Sequence, residues 1–186
     1  YGPALDHSHD LYHSWGQWME GWLRTGTLPP RARTAEGARR FADAMWANAG
    51  VLASELHGHL DLTGVRRVLD LGGSTGRLAV ALCQAEPALE VTVVDRAEAV
   101  ALGPERVAPT GTADRIHFVE GDYHAVEVEP VWDLVLLSNV LHQELAPAAA
   151  ALVQRAASAL GPGGRVAVVE FAIDEARHEL LSGALF

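Results

Sequence analysis

The chain has 186 residues, of which 49% are hydrophobic and 20% charged, and its formal net charge is −10. This composition is typical of one folded globular domain and excludes a disordered chain. The acidic balance disfavours a nucleic-acid partner, and no apolar run approaches the length of a membrane span, so no membrane partner is expected. The one cysteine, Cys83, cannot form an internal disulfide, which favours a cytoplasmic location.

Residues 1–37 differ in character from the rest of the chain. Three tryptophans, Trp15, Trp18 and Trp22, recur at helical spacing before a double proline. We interpret this segment as an aromatic-rich helical linker from an N-terminal domain that the chain lacks. Three histidines cluster in DHSHDLYH (6–13), but their spacing matches no zinc site, so no metal is predicted.

Residues 38–186 alternate between helix-like and strand-like stretches. Residues 38–60 are expected to form one or two helices with a packed apolar face, and further helices are predicted near 76–85 and 147–160. The apolar runs of strand length are 65–71, 89–95, 115–121, 132–139 and 165–171. Strands that are apolar on both faces and separated by helices indicate a parallel sheet covered on each side. We therefore predict a doubly wound α/β domain.

A glycine-rich turn follows the first predicted strand in LDLGGSTGRLA (69–79). The strand ends near Asp70, glycines follow at 72, 73 and 76, and a helix begins. Glycines let the backbone turn sharply and approach a ligand closely, where a Cβ would clash. Such a loop alone is weak evidence, because dinucleotide sites share it.

Two more carboxylates follow successive strands. Asp95 ends the second strand, nineteen residues after Gly76, where it could accept hydrogen bonds from ribose hydroxyls. Asp122, in GDY (121–123), follows the third strand and could meet an adenine amino group. Each residue by itself could be a turn or a helix cap. Together, at the sheet edge where ligands bind, they predict a nucleoside site.

The order of residues in the loop favours one kind of nucleoside ligand. A nicotinamide or flavin site usually reads G-x-G-x-x-G, with a pyrophosphate at the helix N-terminus. Here Asp70 stands two residues before the first glycine, where an acid suits a ligand ammonium group better than a pyrophosphate. S-adenosylmethionine carries an ammonium group and no phosphate, so charge favours it.

The segments VLDLGGSTG, VVD, EGD, LLSNVLH and GPGGRVAVVE occur in that order. With them, the chain resembles class I S-adenosylmethionine-dependent methyltransferases over roughly residues 11–186. More narrowly, it resembles the O-methyltransferase family that includes plant caffeate and flavonoid enzymes and bacterial polyketide and antibiotic tailoring enzymes. The resemblance implies transfer of a methyl group from S-adenosylmethionine to an aromatic or polyketide hydroxyl, with S-adenosylhomocysteine as product.

The resemblance also implies roles for individual residues. The loop from Asp70 to Gly76 would cradle the methionine part of the cofactor, Asp95 would hold the ribose, and Asp122 with Tyr123 would lie along the adenine. Trp15 and Met45 would lie near the acceptor pocket. The full set expected to bind the cofactor is Asp70, Gly72, Gly73, Ser74, Gly76, Asp95, Arg96, Gly121, Asp122, Tyr123, Ser138 and Asn139.

His142 falls on the family's general base, and Glu170 on the acid that orients it. Sheet geometry also places the two residues together: the fourth and fifth strands of such a sheet are neighbours, roughly 4.8 Å apart, and both residues follow the strand ends. A carboxylate that accepts one imidazole N–H fixes the tautomer and leaves the other nitrogen as a base. The alternative for His142 alone is a polar cap on a strand-to-helix loop.

The chain departs from the family in several places. Gln143 and Glu144 follow His142 where the family usually has Asp and Trp, and Ser138 stands at an often basic position. The family's N-terminal winged-helix-like dimerisation domain and C-terminal strand pair are not represented, so we expect a fragment of a longer protein that is a homodimer. Three functions remain as alternatives to O-methylation. They are N- or C-methylation, a non-catalytic methyltransferase-like subunit that pairs through the tryptophan helix, and a nucleotide-dependent dehydrogenase.

Overall fold

The computed structural model describes residues 2–27 and 34–170. Two long helices come first, α1 (Gly2–Thr25) and α2 (Ala35–His59). Thr34 caps α2, because its side chain accepts a hydrogen bond from the Gly37 backbone N–H at 3.0 Å. The region predicted as one or two helices is therefore a single helix. It packs against α1, and an ion pair between Arg40 and Asp10 joins the two helices.

A five-stranded parallel sheet forms the centre of the fold, as the sequence predicts. Its strand order is β3-β2-β1-β4-β5, with every neighbouring pair parallel. The strands are β1 (Arg67–Leu71), β2 (Glu90–Asp95), β3 (Ile116–Glu120), β4 (Trp132–Ser138) and β5 (Leu160–Val169).

Helices cover both faces of the sheet, which explains why the strands are apolar throughout. They are α3 (Arg77–Ala85), α4 (Ala97–Val100), α5 (Gly103–Val107) and α6 (Ala146–Ser158). One buried cluster joins strand residues such as Val68 to Leu56 of α2 and Leu82 of α3. A second joins Leu69 to Leu152 of α6. Because alternate residues of one strand enter different cores, both faces of the sheet are buried.

The fifth strand begins earlier than predicted. Leu160 already pairs with Trp132, and an irregularity in register separates this pair from the regular ladder that starts at Arg165. Gly163 has a φ of 80°, and a Cβ added at Gly164 would lie 2.7 Å from the Trp132 carbonyl oxygen. Glycine lets the GPGG segment bend within the strand, so it is an irregular strand start and not a loop. The predicted last residue of this strand, Phe171, lies outside the described residues.

Candidate active site

The predicted site residues gather at the carboxyl edge of the sheet. In the order β3-β2-β1-β4-β5, the chain moves outward from β1 in one direction and from β4 in the other. The gap above the ends of β1 and β4 is thus the topological switch point, where open α/β sheets bind ligands. The glycine loop follows β1, and the turn that carries His142 follows β4.

The glycine loop adopts a conformation that ordinary side chains disfavour. Gly72 and Gly76 have φ values of 81° and 84°, and Ser74 has a φ of 53°. An added Cβ at Gly72 would lie 2.3 Å from Val140 Cγ1, and one at Gly73 would lie 2.3 Å from Asp70 Oδ2. The loop thus packs its backbone directly against Val140, in the turn after β4, and against the Asp70 carboxylate, which explains the glycines physically.

We expect Gly72→Ala to lower the free energy of unfolding by about 2–4 kcal/mol, because it combines a left-handed φ with a steric clash. Gly111→Ala is the matched control. Gly111 has a φ of 74°, but an added Cβ there would meet nothing within 4 Å. Urea denaturation of both variants separates the two effects. Equal losses would mean that Val140 moves aside and that only backbone strain matters.

Asp70 lies beneath the glycine loop and not on its outer face. Its side chain is fully buried, and within the described part of the chain neither carboxylate oxygen has a hydrogen-bond partner. Burial, together with the smaller effect of the nearby Asp95 charge, raises the pKa of Asp70 to about 7. Direct contact between this carboxylate and a ligand ammonium group stays a prediction.

Asp95 joins the end of β2 to the glycine loop. Its Oδ2 accepts a hydrogen bond from the Ser74 backbone N–H at 2.8 Å, and its Oδ1 accepts one from the Arg96 N–H at 2.7 Å. The structure thus brings together three residues of the predicted cofactor set. A carboxylate oxygen has two lone pairs, so Asp95 can still accept hydrogen bonds from a diol.

The loop after β3 folds back over the same edge. Gly121 donates its N–H to the Asp95 carbonyl oxygen at 3.0 Å, and the Asp122 side chain accepts the His124 N–H at 2.8 Å in a tight turn. Tyr123 lies against the glycine loop, 3.7 Å from the position of a Cβ on Gly72. The segment predicted to line an adenine is therefore held beside Asp95 and the glycine loop.

His142 and Glu170 meet as predicted. His142 Nδ1 lies 2.8 Å from Glu170 Oε2, and Glu170 Oε1 accepts the Leu141 backbone N–H at 2.6 Å. The imidazole is 24% exposed, so it is accessible from the edge, whereas the carboxylate is 16% exposed. With Nδ1 protonated toward Glu170, Nε2 carries the lone pair that can accept a proton.

The strand end before His142 has a special backbone. Ser138 is the last residue of β4, and Asn139 has a φ of 53°. The Asn139 N–H donates to the Val169 carbonyl oxygen at 2.9 Å, and its own carbonyl oxygen accepts the Gln143 side-chain amide at 2.9 Å. Asparagine tolerates this left-handed conformation better than most residues. The bend turns the chain from β4 into the short 3₁₀ turn 141–143.

The two residues predicted near an acceptor lie on the N-terminal helices. Trp15, in α1, makes edge-to-face ring contacts with Tyr12 and Trp18. Met45 is half-buried in α2. Their role in an acceptor pocket stays a prediction.

Glu144 is a further polar residue of this edge, and the sequence pattern marks it only as a departure from the family. Its Oε1 accepts a hydrogen bond from Tyr123 at 3.2 Å and lies 2.8 Å from His124 Nε2. Burial raises the pKa of Tyr123, and the Glu144 charge adds to the effect. The sequence feature that could have indicated Glu144 as a site residue is an acid two positions after His142.

Other features lie away from this edge or give no site. A surface cavity of about 400 Å³, lined by residues 60–66 and by Ala85, Glu86 and Ala88, lies at the opposite end of β1. Within residues 2–27 and 34–170, no group of three or more His, Cys, Asp or Glu residues could hold a metal ion. In the same ranges, no helix has the length and apolarity needed to cross a bilayer.

Two curated bacterial proteins are similar to most of the chain. One is the 3-hydroxy-5-methyl-1-naphthoate 3-O-methyltransferase of Streptomyces sahachiroi, 33% identical over 179 residues, which cover 89% of the chain and 52% of that protein. The other is the tetracenomycin polyketide synthesis 8-O-methyl transferase TcmO of Streptomyces glaucescens, 35% identical over 176 residues, which cover 90% and 51%. The chain thus spans about half the length of these relatives.

The structure of human N-acetylserotonin methyltransferase in complex with SAM has a similar fold. Its TM-score is 0.76 at 26% identity, over 91% of this chain and 52% of that one. The O-methyltransferase domain family matches residues 22–186. With the parallel sheet, the glycine loop and these relatives in agreement, the chain belongs to the O-methyltransferase domain family of class I S-adenosylmethionine-dependent methyltransferases.

Proposed function

We propose that the protein transfers a methyl group from S-adenosylmethionine to a hydroxyl of an aromatic or polyketide-type small molecule. The observation that carries this proposal is the His142–Glu170 pair, 2.8 Å apart at the carboxyl edge that also holds the glycine loop. The names of the two bacterial relatives support an aromatic hydroxyl as the acceptor class.

The residues at this edge fit the cofactor. The glycine loop has a left-handed backbone at Gly72 and Gly76, and both carboxylate oxygens of the buried Asp70 below it have no hydrogen-bond partner in the described chain. We assign the methionine part to the loop from Gly72 to Gly76, with Ser138 and Asn139 beside it. The ribose is assigned to Asp95 with Arg96, and the adenine to residues 121–123. The bound cofactor supplies an electrophilic methyl group on a sulfonium.

His142 acts as the general base in this proposal. Its Nε2 would take the proton of the acceptor hydroxyl as the oxygen–methyl bond forms and the methyl–sulfur bond of the cofactor breaks, with S-adenosylhomocysteine leaving as a neutral thioether. A phenol with a pKa of about 10 gains nucleophilicity on losing its proton, and a neutral imidazole within hydrogen-bond reach can accept that proton. Glu170 fixes the tautomer and stabilises the imidazolium that forms. Holding oxygen, carbon and sulfur in line supplies further acceleration.

Calorimetric titration with S-adenosylhomocysteine tests the cofactor, with NAD as the control. We expect selective binding near micromolar affinity, about −8 kcal/mol. Tight NAD binding without S-adenosylhomocysteine binding would contradict the proposal and favour a dehydrogenase. If folded protein, checked by circular dichroism, binds neither ligand, a non-catalytic subunit is favoured.

A screen of hydroxynaphthoates and other aromatic hydroxyl compounds then tests the acceptor. We expect a methyl ether as product, and mass spectrometry with NMR identifies the methylated atom. Methylation at nitrogen or carbon would contradict O-methylation while preserving the cofactor assignment. The homodimer and the boundary between residues 37 and 38 stay predictions, which light scattering and limited proteolysis can test.

A further inference from the structure

One carboxylate of the turn after β4 holds two side chains of the loop after β3. Glu144 Oε1 accepts the Tyr123 hydroxyl at 3.2 Å and lies 2.8 Å from His124 Nε2. The side chains are partly buried, with exposures of 20% for Glu144 and 33% for His124. The Tyr123 and His124 rings also contact each other, with centroids 4.7 Å apart. Partial burial shields these contacts from water and makes them stronger than surface ion pairs.

This contact crosses the gap where the cofactor is assigned. Strands β2 and β1 separate β3 from β4, a span of roughly 14 Å at the usual strand spacing. The loop after β3 must therefore pass over the ends of both strands to reach Glu144. Tyr123 packs on the way against Gly72 and against the buried apolar cluster on which Leu141 also packs. Its ring is thus fixed between the glycine loop and the turn that carries His142.

The turn from 141 to 144 is consequently held from two sides. Glu170 accepts the Leu141 N–H and meets the His142 imidazole, and these contacts come from β5. Tyr123 and His124 meet Glu144 from the β3 side. The Glu144 N–H donates to the Leu141 carbonyl oxygen at 3.1 Å, which closes the turn.

We propose that Glu144 is a positioning residue for the nucleoside part of the cofactor. It holds Tyr123 and His124 so that the Tyr123 ring forms a fixed wall of the cleft beside Asp95 and Gly72. This role rests on the proposed function, because it assumes that a nucleoside occupies the cleft. Glu144 stands where the family usually has Trp, and in this proposal its hydrogen-bonded carboxylate acts through Tyr123.

The test compares calorimetric affinities for S-adenosylhomocysteine in the full chain. Glu144→Ala should weaken binding roughly tenfold or more, because both loop contacts lose their acceptor. Glu144→Gln keeps an acceptor oxygen and should stay within about threefold of wild type. Tyr123→Phe removes only a hydroxyl and should lose affinity without unfolding. The double variant Y123F/E144A should bind no more weakly than E144A alone, since the two changes break the same contact.

Glu105→Ala is the matched control, because Glu105 accepts a hydrogen bond from Arg39 at 3.2 Å between α5 and α2. It should leave the affinity unchanged. A lower melting temperature for E144A with wild-type affinity would overturn the proposal and make Glu144 a structural residue. Additive losses in Y123F and E144A would overturn it too. If the wild-type protein does not bind S-adenosylhomocysteine, the cofactor assignment itself is refuted. If the wild-type protein binds it and E144A binds it equally well, only the positioning role of Glu144 is refuted.

Discussion

Replacing His142 with Ala is expected to slow methyl transfer by about 10²–10⁴-fold at saturating cofactor, because the acceptor hydroxyl loses its general base. Affinity for S-adenosylhomocysteine should stay near the wild-type value, since the assigned cofactor contacts lie on other residues. Single-turnover kinetics with an acceptor from the hydroxynaphthoate screen, together with calorimetry, measure the two quantities separately.

Two further variants give the expected upper and intermediate rates for comparison with His142→Ala. His117→Ala removes an exposed histidine of β3 and should leave the rate unchanged. Glu170→Gln keeps one oxygen for the Leu141 N–H or for His142 but removes the charge that stabilises an imidazolium, so an intermediate loss is expected. A wild-type rate in H142A would remove the base assignment and leave positioning as the source of catalysis.

Asp70→Asn is expected to stabilise the protein above pH 7 while weakening cofactor binding. Burial raises the pKa of Asp70 from 3.8 in the unfolded chain to about 7. Between these values the folded state binds more protons than the unfolded state, so stability falls as the pH rises through this window. Ionisation of the buried carboxyl lowers the free energy of unfolding by on the order of 4 kcal/mol. An asparagine amide buried without hydrogen-bond partners costs about 1–3 kcal/mol, which offsets part of the gain from removing the charge. A net gain of about 1–3 kcal/mol is expected.

Urea denaturation at pH 5 and pH 8 measures this effect. The wild-type protein should lose stability between the two pH values, and D70N should lose less. Asp61→Asn is a control that should keep the wild-type difference in stability between pH 5 and pH 8, because hydrogen bonds from Thr63 lower the pKa of Asp61 to about 2. Its contribution is lost only below about pH 4. An unchanged slope in D70N would show that the Asp70 carboxylate has a partner when the protein folds.

Much of the fold follows from local pattern. Strands apolar on both faces, with helices between them, indicate a parallel sheet buried on two sides, and the five predicted strands are present, although β5 begins earlier than predicted. The glycines at 72, 73 and 76 predicted a tight loop, and the His142–Glu170 contact followed because consecutive parallel strands β4 and β5 are neighbours. Strand-end positions and periodicity carry this information directly in the sequence.

Other features depend on how distant segments pack. Periodicity does not give the depth of a side chain, so the complete burial of Asp70 beneath the glycine loop could not be predicted from the sequence. The start of β5 at Leu160 depends on pairing with Trp132, which outweighs the turn signal of GPGG. The contact of Glu144 with Tyr123 and His124 needs the strand order, because it spans four strands and about twenty residues. The local sequence pattern places these groups at the carboxyl edge of the sheet. Which of them are buried and which contact each other follows from packing, because burial and pairing depend on neighbours remote in the chain.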